Sequence, residues 1–272
     1  TQTICENTTP STLSVSATGG TGNYVYQWYQ NTTNNTSTGT KISGATFQTY
    51  VPATTTVGTS YYYCLITTDG LNCNVTSQSS EVIVNAQPTV VTHPVSSIVC
   101  VGGTPDQLSV TTANGVGTPS YQWYSNNSND NTSGSPIGGA TNSTYNPSGA
   151  TVGTTYYYCV ITFGGGCTVI SSDVAAVTVN PKQTISSQPI STQDICVGGT
   201  IGTALSVGYT GGTGNPTYQW YSNTTNFNAG GTPVSGATSS TFLPSDFNTV
   251  GLYYYYCEVT LSGSNCGSAI SD

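Results

Sequence analysis

Short alternating runs of apolar and polar residues recur along the whole chain. Leu13 to Val15, Tyr26 to Trp28 and Val82 to Val84 alternate with a period of two, and clusters of Gly, Pro, Asn and Ser separate such runs. This period is typical of short antiparallel β-strands in which every second side chain faces a core. No stretch carries the apolar stripe at 3.6-residue spacing that predicts a helix. The sequence therefore predicts an all-β protein.

The same pattern occurs three times. Tyr-Gln-Trp-Tyr is found at 26–29, 121–124 and 218–221, so that successive tryptophans lie 95 and 97 residues apart. A Tyr-Tyr-Cys sequence follows each of them, and the nine cysteines fall into three groups of three. Agreement at this many positions indicates tandem domains. We predict domains at residues 1–86, 87–181 and 182–272, which are called repeats 1, 2 and 3 below.

The first and last repeats are expected to have incomplete sheets. Repeats 2 and 3 each supply a candidate strand A ahead of their first cysteine, whereas only four residues precede Cys5. The sequence reaches Asp272 at a point where repeat 2 continues through Val174 to Val179, a candidate strand G. We therefore expect repeat 1 to lack strand A and repeat 3 to lack most of strand G. We therefore expect the sequence to be part of a much longer array. The alternative is that adjacent molecules complete one another's sheets by strand donation, which such open edges would permit.

Each repeat has the length and residue pattern of an immunoglobulin-like β-sandwich. A Val lies 13 residues before each Trp, and a Tyr lies two residues before the Cys of Tyr-Tyr-Cys, as in strands B, C and F of that fold. Antibody domains carry a Cys at the strand-B position, so Val there excludes their usual bridge between the two sheets. The predicted core consists of Trp28, Trp123, Trp220, Tyr62, Tyr157, Tyr255, Val15, Val110 and Val207.

Three cysteines per repeat allow three pairings, each with one thiol left over. The thiols of Cys64, Cys159 and Cys257 are expected to stay free and to pack in the core as small hydrophobes. The favoured pairing joins the two remaining cysteines within each repeat, as Cys5–Cys73, Cys100–Cys167 and Cys196–Cys266. A Cys64–Cys73 bridge and a Cys5–Cys64 bridge are the alternatives. Any of these disulfides indicates an oxidising, extracellular setting.

The tyrosines before each core cysteine divide into two predicted sets. Tyr62, Tyr157 and Tyr255 are expected to bury their rings and to bond their hydroxyls to the backbone, as in the tyrosine corner of immunoglobulin domains. Alternation then points their neighbours outward. The outward set forms a candidate lateral interface between repeats or filaments, and it contains Tyr61, Tyr63, Tyr156 and Tyr158.

Composition excludes several kinds of function. Only 4% of the residues are charged, with two cations, ten acids and a formal net charge of −8. Nucleic-acid binding and docking on anionic membranes both require clustered cations, so neither is expected. No run approaches the roughly 20 apolar residues of a membrane-spanning helix, so no direct membrane insertion is expected.

Chemistry-bearing residues are correspondingly scarce. His93 is the single histidine, and it is expected to be a solvent-exposed variant within strand A. The acids are scattered without the spacing of a metal site. We therefore predict no catalytic residues, no metal and no cofactor, and the protein is not expected to be an enzyme. The polar segments 31–36 and 126–132 are expected to be loops, either simply solvated or in contact with glycans and other surfaces.

A family resemblance rests on a longer series of residues. Cys-Val-Gly-Gly-Thr at 100–104 and 196–200 precedes Leu-Ser-Val, and Tyr-Gln-Trp-Tyr, Gly-Ala-Thr, Tyr-Tyr-Cys and a further Cys follow. This series resembles the Ig-like repeats of very large surface proteins of Bacteroidetes, especially the flavobacterial gliding-motility adhesins of the SprB kind. The resemblance implies the favoured cysteine pairing, export by the type IX system and attachment at the outer membrane.

Together these features predict a structural and adhesive protein. Short, proline-containing connections at 85–88 and 180–181 are expected to set the sandwiches end to end as a rod. We expect a rigid spacer in a long extracellular cell-surface filament, linked to gliding motility or surface attachment. The expected partners are neighbouring repeats of the same protein and, as candidates, glycans or abiotic surfaces. A carbohydrate-binding module of a secreted enzyme and a surface-layer or shell protein are the alternatives.

Overall fold

The structure is a computed structural model, and it describes residues 1–69, 73–164, 167 and 170–272. All regular elements of these residues are β-strands, and the predicted fold class is confirmed. Three separate hydrophobic clusters form the interior, and each is built around one Trp. Each Trp-centred block of sequence therefore folds around a core of its own.

Repeat 1 is a two-layer sandwich. Its larger sheet has the order β1-β8-β6-β3-β4, with β7 also paired to β6, and its second layer is the β2-β5 pair. The strands are β1 (Gln2–Cys5), β2 (Leu13–Ser14), β3 (Tyr24–Asn31), β4 (Thr40–Lys41), β5 (Thr49–Tyr50), β6 (Gly58–Thr68), β7 (Asn74–Thr76) and β8 (Ser80–Asn85).

Repeat 2 has the same layers and one additional strand pair, β9-β12. Its large sheet runs β10-β18-β16-β13-β14, with β17 on β16, and β11-β15 faces it. The strands are β9 (Thr89–Thr92), β10 (Ser97–Cys100), β11 (Leu108–Ser109), β12 (Thr111–Ala113), β13 (Ser120–Asn126), β14 (Ser135–Pro136), β15 (Thr144–Tyr145), β16 (Gly153–Thr162), β17 (Ile170–Ser171) and β18 (Ala175–Asn180).

Repeat 3 has a four-stranded large sheet, in the order β23-β22-β25-β26. The pairs β20-β24 and β19-β21 form the rest of its sandwich. The strands are β19 (Thr184–Ser187), β20 (Leu205–Ser206), β21 (Gly208–Thr210), β22 (Pro216–Asn223), β23 (Thr232–Pro233), β24 (Thr241–Phe242), β25 (Tyr254–Leu261) and β26 (Ser268–Ile270).

The expectation that repeat 1 lacks strand A is only partly correct. In repeat 2 the region before Leu108 supplies two strands: β9 pairs antiparallel with β12, whereas β10 pairs parallel with β18. In repeat 1, β1 pairs parallel with β8 in the same way as β10 does. Repeat 1 therefore contains the second of these two strands. A counterpart of β9 is absent among its described residues.

The recurring Gly-Ala-Thr motif is explained by a turn that all three repeats use. Gly44, Gly139 and Gly236 have φ values of 75°, 76° and 76°, a left-handed conformation that glycine adopts without steric cost. The turn directs the carbonyl of the following Ala at the tryptophan of the same repeat. In repeat 1 the Trp28 amide donates to the Ala45 carbonyl at 3.0 Å. The motif thereby fixes the loop after strand β4 to the centre of the sandwich.

Candidate functional site

The tryptophans form the centre of each sandwich and are almost completely buried, with exposed fractions of 2%, 0% and 0%. Trp28 lies directly opposite Cys64 on the neighbouring strand, and the pair recurs in repeats 2 and 3. Each indole Nε1 donates to a backbone carbonyl 19 residues later, at 2.9 Å in every repeat. Burial of a large ring with its N–H satisfied is favourable in all three copies.

Most of the predicted core residues are buried, and two of them are only half-buried. Val15 borders a groove of about 530 Å³ in repeat 1 whose floor includes Trp28, Tyr62 and Ile66. In repeats 2 and 3, Val90 of β9 and Ile185 of β19 pack against the corresponding cores. The groove thus lies where the other repeats place a strand. Tyr255 is half-buried because no counterpart of β18 covers it among the described residues.

The disulfides correct the predicted pairing within repeats. Both disulfides of the structure join consecutive repeats, as Cys5–Cys167 and Cys100–Cys266. The Cα atoms of the bonded residues are 5.2 Å and 4.8 Å apart. Cys73 and Cys196 remain free, so the predicted bonds Cys5–Cys73 and Cys196–Cys266 do not form. The predicted bond Cys100–Cys167 does not form either, because both of its cysteines are bonded to other partners. The Cys64–Cys73 and Cys5–Cys64 alternatives do not form either.

The direction of the strands explains why the cysteines pair between repeats and not within one. Cys5 ends β1 and lies beside Asn85, the last residue of the parallel strand β8, so it stands at the end where the chain leaves repeat 1. Cys73 lies between β6 and β7, at the other end of the same sheet. The two cysteines of one repeat are therefore separated by the length of the sandwich. Cys167 of the following repeat is bonded to Cys5 instead.

Hydrogen bonds accompany the disulfides at both junctions. Between repeats 1 and 2, the Gln87 amide donates from Nε2 to the Glu6 carbonyl at 2.8 Å. Between repeats 2 and 3, the Asn180 side chain donates to the Ser264 carbonyl at 3.0 Å, and the Asn265 side chain donates to the Ile98 carbonyl at 2.8 Å. These contacts lie next to the bonded cysteines, so each junction is fixed at several points.

Three of the free thiols are in the cores. Cys64, Cys159 and Cys257 each have an exposed fraction of 0%. Burial raises the pKa of the Cys64 thiol and raises the pKa values of Cys159 and Cys257 to about 11. A thiol that stays protonated at neutral pH is a poor nucleophile. These cysteines are packing groups beside the tryptophans.

The outward tyrosine row is not present as predicted. Tyr63 and Tyr158 are 4% and 2% exposed and stack on Tyr29 and Tyr124, with ring centroids 5.2 Å and 5.1 Å apart. Their hydroxyls accept hydrogen bonds from the amides of Gly39 and Gly134. The outer face of the sheet is covered here by the loop after β3 and its counterpart after β13. Both rings are therefore withdrawn from any lateral interface.

The remaining members of the two tyrosine sets agree with expectation only in part. Tyr61 and Tyr156 are half-buried, and Tyr61 donates to the Glu81 carboxylate at 2.9 Å. Tyr62 and Tyr157 bury their rings as predicted, with exposed fractions of 2% and 8%, but the predicted bond between hydroxyl and backbone is made by the next tyrosine of each repeat. Tyr63, Tyr158 and Tyr256 carry the hydroxyl bonded to backbone, whereas the ring of Tyr62 packs beside Tyr50, with centroids 5.6 Å apart.

His93 has a structural role. It follows β9, and its Nδ1 accepts a hydrogen bond from the Asp173 amide at 2.8 Å. In repeat 3 the side-chain oxygen Oε1 of Gln188 accepts a hydrogen bond from the backbone amide of Asp272 at 2.9 Å. The same backbone position is thus held by two unrelated side chains that share only an acceptor atom. Within the described residues, no group of three or more His, Cys, Asp or Glu side chains has the arrangement of a metal site.

The polar loops after the Trp strands are held by their own first residue. The side-chain amide of Asn31 donates to the backbone carbonyl of Asn35. The side-chain amides of Asn126 and Asn223 make the corresponding bonds to the backbone carbonyls of Asp130 and Phe227. Hydrogen bonds from the Ser133 hydroxyl, and then from the hydroxyl and backbone amide of Thr132, lower the pKa of the exposed Asp130 carboxyl. These side chains build the loop. No helix suited to crossing a membrane occurs in the described ranges.

The family assignment follows from residues 1–88 and 90–181, which each match one family model, described as Domain of unknown function (DUF8696). The chain belongs to this family. The two matched segments cover repeats 1 and 2, the parts of the chain joined by Cys5–Cys167. The sequence matches no curated protein at a significant level.

Solved structures with tandem immunoglobulin domains have similar folds. The I-band fragment I67-I69 from titin is 15% identical, with a TM-score of 0.51 over 98% of this chain and 92% of that one. Sidekick-1 immunoglobulin domains 1-5 are 17% identical, with a TM-score of 0.44, and the match covers 99% of this chain but 57% of that one. Extracellular domains 3-5 of Drosophila OTK are 16% identical with a TM-score of 0.44, covering 99% and 91%. At its 15% identity the titin match, with a TM-score above 0.5, establishes the immunoglobulin-like fold alone.

Proposed function

We propose that this chain is a load-bearing spacer in an extracellular adhesive filament at the cell surface. The observation that carries the proposal is that both disulfides connect consecutive repeats. Disulfides form and persist in oxidising compartments, which supports a location outside the cytosol. The low content of charged residues, 4%, supports contacts that depend weakly on salt.

The two bonds place three stretches of chain in parallel. Cys5–Cys167 forms one junction point and Cys100–Cys266 forms the other. The chain connects these points by three routes: Cys5 to Cys100, Cys100 to Cys167 and Cys167 to Cys266. Each route contains the tryptophan of a different repeat. Tension applied at the chain ends therefore enters at one junction point and leaves at the other, and each of the three routes carries load only as far as it is taut.

The arrangement also limits how far the molecule can extend. Once the sandwiches unfold, the shortest route between the two junction points is the 67-residue stretch from Cys100 to Cys167. At ~3.6 Å per residue the taut molecule, including its two ends, measures roughly 290 Å, compared with roughly 980 Å for the reduced chain. A filament built from such units therefore keeps a limited maximum length even when individual repeats unfold.

The finer assignment rests on the sequence resemblance to Bacteroidetes surface repeats. On that basis we propose a part in gliding motility or surface attachment, export by the type IX system and an outer-membrane-associated filament. Neighbouring repeats are the first proposed partner. Glycans and abiotic surfaces are proposed as the substratum, which the adhesive filament would contact through its polar loops.

Single-molecule stretching from the two chain ends tests the load-bearing role. The oxidised protein is expected to become taut near roughly 290 Å, and the reduced protein near roughly 980 Å. The double variant Cys5→Ser with Cys100→Ser is expected to match the reduced protein without any reductant. Cys64→Ala, which changes a free core thiol, is the matched control and is expected to keep the short limit. Equal lengths in oxidised and reduced protein would overturn the proposal.

A further inference from the structure

Each repeat keeps a buried thiol at the same place in its core, although neighbouring core positions vary. The ring packed against the tryptophan is Tyr50 in repeat 1 and Phe242 in repeat 3. The residue two positions after the thiol is Ile66 in repeat 1 and Val259 in repeat 3. The thiol itself is retained in all three repeats, as Cys64, Cys159 and Cys257. An apolar side chain of similar size would also pack there, so packing alone leaves the recurrence of the thiol unexplained.

The core thiol also lies at a nearly constant distance along the chain from the last cysteine of its repeat. The separation is 9, 8 and 9 residues in repeats 1, 2 and 3, for the pairs Cys64 and Cys73, Cys159 and Cys167, and Cys257 and Cys266. In repeats 2 and 3 this last cysteine is bonded to the preceding repeat. Two of the three core thiols are therefore close in sequence to a disulfide sulfur.

The folded repeat keeps the thiol and the disulfide apart. Cys159 is buried within the extended strand β16, whereas Cys167 lies beyond the end of that strand. The Cys159 Sγ donates to the Val160 carbonyl at 3.7 Å, and the core thiols of repeats 1 and 3 make the same bond at 3.6 Å. Burial raises the pKa values of Cys159 and Cys257 to about 11, so the thiolate that attacks disulfides is scarce.

Unfolding removes both restraints. A flexible chain closes a loop of this size within about 10–100 ns, and a thiol in water regains its ordinary pKa. The entropic cost of loop closure grows with the 3/2 power of loop length. For one bond considered alone, the 8-residue loop of Cys159 and Cys167 is favoured over the 162-residue loop of Cys5–Cys167 by roughly 90-fold. The unfolded chain therefore favours the short loop.

We infer that the core thiols of repeats 2 and 3 are nucleophiles that break the disulfide to the preceding repeat when their own repeat unfolds. In repeat 2 the Cys159 thiolate attacks the Cys167 sulfur of Cys5–Cys167. The Cys159–Cys167 bond forms, the Cys5–Cys167 bond breaks, and its electron pair leaves on the Cys5 sulfur, which then takes up a proton.

Repeat 3 undergoes the same step. The Cys257 thiolate attacks the Cys266 sulfur of Cys100–Cys266 and releases Cys100. One disulfide forms for each one that breaks, so neither an oxidant nor a reductant is consumed. Repeat 1 provides the contrast, because Cys73 is free and Cys64 has no disulfide close to it in sequence.

The exchange requires an unfolded repeat and not a load, so the inference does not rest on the proposed function. Its consequence is that a repeat loses its covalent bond to the repeat before it when it unfolds. Stretching at pH 5, where thiolates are scarce, tests the load-bearing role without the exchange. Unfolding in urea tests the exchange without a load. The two experiments therefore have separate outcomes.

The test uses the chain with Cys73→Ser and Cys196→Ser, so that no exposed thiol competes. This parent chain is unfolded in urea at pH 8 without added oxidant or reductant, trapped with N-ethylmaleimide and mapped by peptide mass spectrometry. At pH 5 the exchange should be roughly 1,000-fold slower, since the thiolate fraction falls tenfold per pH unit. The folded protein at pH 8 should keep both native bonds. In the unfolded protein at pH 8 we expect Cys159–Cys167 and Cys257–Cys266, with the trapping group on Cys5 and Cys100.

Removing one core thiol isolates its junction. Cys159→Ala is expected to keep Cys5–Cys167 after unfolding, over the time in which repeat 3 exchanges. Cys64→Ala is the matched control and should leave both exchanges unchanged. Cys64 lies 59 residues from Cys5, so its attack there should be roughly 20-fold slower than that of Cys159 on Cys167.

The deciding comparison is made within the parent chain, so it does not depend on the folding of a core variant. Native bonds that persist in the unfolded parent at pH 8 would overturn the inference. Attack by Cys64 at the rate of Cys159 would overturn it as well, because it would show random exchange among all thiols.

Discussion

Gly39 donates its backbone amide to the hydroxyl of Tyr63, at 3.1 Å between nitrogen and oxygen, and thereby ties the loop after β3 to the outer face of β6. Gly134 and Tyr158 make the same contact at 2.9 Å, and Gly231 and Tyr256 make it at 3.0 Å. In each repeat the tyrosine ring also stacks on a tyrosine of the Trp strand. This contact covers the face of the sheet that sequence periodicity assigns to solvent.

Replacing the glycine of this contact is expected to destabilise its repeat. A Cβ on Gly134 would lie 2.9 Å from the Ser125 carbonyl oxygen and 2.9 Å from Cε1 of Tyr158. Overpacking of this kind costs ~1–3 kcal/mol. Gly134→Ala should lower the free energy of unfolding by that amount in urea denaturation. Gly138→Ala is the matched control, because a Cβ there meets no atom within 4 Å. Equal stability of the two variants would refute the packing argument.

Removing only the hydroxyl isolates the hydrogen bond. Tyr158→Phe keeps the stacked ring and leaves the Gly134 amide without its acceptor, so a loss of ~1–2 kcal/mol is expected from an unsatisfied, partly buried donor. Tyr156→Phe is the control, because the Tyr156 hydroxyl bonds to no other described residue. Thermal unfolding should separate the two variants. The prediction fails if Tyr156→Phe is as harmful as Tyr158→Phe.

The sandwich of each repeat could be predicted because its signals are local. The alternation of Tyr26 to Trp28, and the spacing from Val15 to Trp28 and from Trp28 to the Tyr-Tyr-Cys sequence, fix strands B, C and F within one repeat. Trp28 then lies opposite Cys64, as the immunoglobulin pattern requires. The three repetitions of these signals supported one another.

The cysteine pairing could not be predicted in the same way, because a tandem array repeats its spacing. Each repeat offers one cysteine at each end, so pairing within a repeat and pairing with the next repeat use the same residue types in the same order. Only the position of Cys5 beside Asn85, at the far end of the sheet from Cys73, decides between them. The direction of β1 along β8 is a property of the folded sheet, and the spacing of the cysteines does not contain it.

The tyrosine orientation failed for a different reason. Period-two alternation assumes one buried and one solvated face. Tyr62 and Tyr63 point to opposite faces and are 2% and 4% exposed, because the loop after β3 closes over the second face. The signal that would have revealed this is the glycine before each short strand β4, β14 and β23, which permits close approach to the tyrosine ring.

Thiol reactivity is expected to divide the five free cysteines into two classes. Under native conditions Cys73 and Cys196 should react with iodoacetamide because they are exposed. Cys64, Cys159 and Cys257 should react only after unfolding, because they are buried and their thiolates are disfavoured. Peptide mapping before and after urea treatment measures this. Native labelling of Cys159 or Cys257 at the rate of Cys196 would contradict the assignment.

Each disulfide between repeats is expected to stabilise the repeats that it joins. Cys100–Cys266 spans 166 residues, and closing a loop of that length in the unfolded chain contributes up to ~5 kcal/mol. The double variant Cys100→Ser with Cys266→Ser should lower the stability of repeats 2 and 3 and leave Cys5–Cys167 intact. The variant should also show a wider distribution of the radius of gyration in small-angle X-ray scattering. Cys73→Ser, which removes an unbonded cysteine, should change neither property.

Alkaline pH is expected to weaken the fold through the core thiols. Burial raises the pKa values of Cys159 and Cys257 from 9.0 to about 11, so the folded state binds its thiol protons more tightly than the unfolded state does. The resulting stability is complete below pH 9 and is lost as the pH rises towards 11. Burial also raises the pKa values of Tyr62 and Tyr157, which act in the same direction at higher pH.

Urea unfolding at a series of pH values between 8 and 11 measures this effect, with Cys73 and Cys196 alkylated beforehand so that no exposed thiol of the folded state exchanges with the disulfides. The free energy of unfolding should fall over this range, and Cys159→Ala with Cys257→Ala should flatten the fall, because neither alanine has a proton to lose. The variant is expected to start from a lower stability, since each substitution leaves a small cavity beside a tryptophan. The slope against pH is therefore the informative quantity. An unchanged slope in the double variant would assign the alkaline transition to the tyrosines instead.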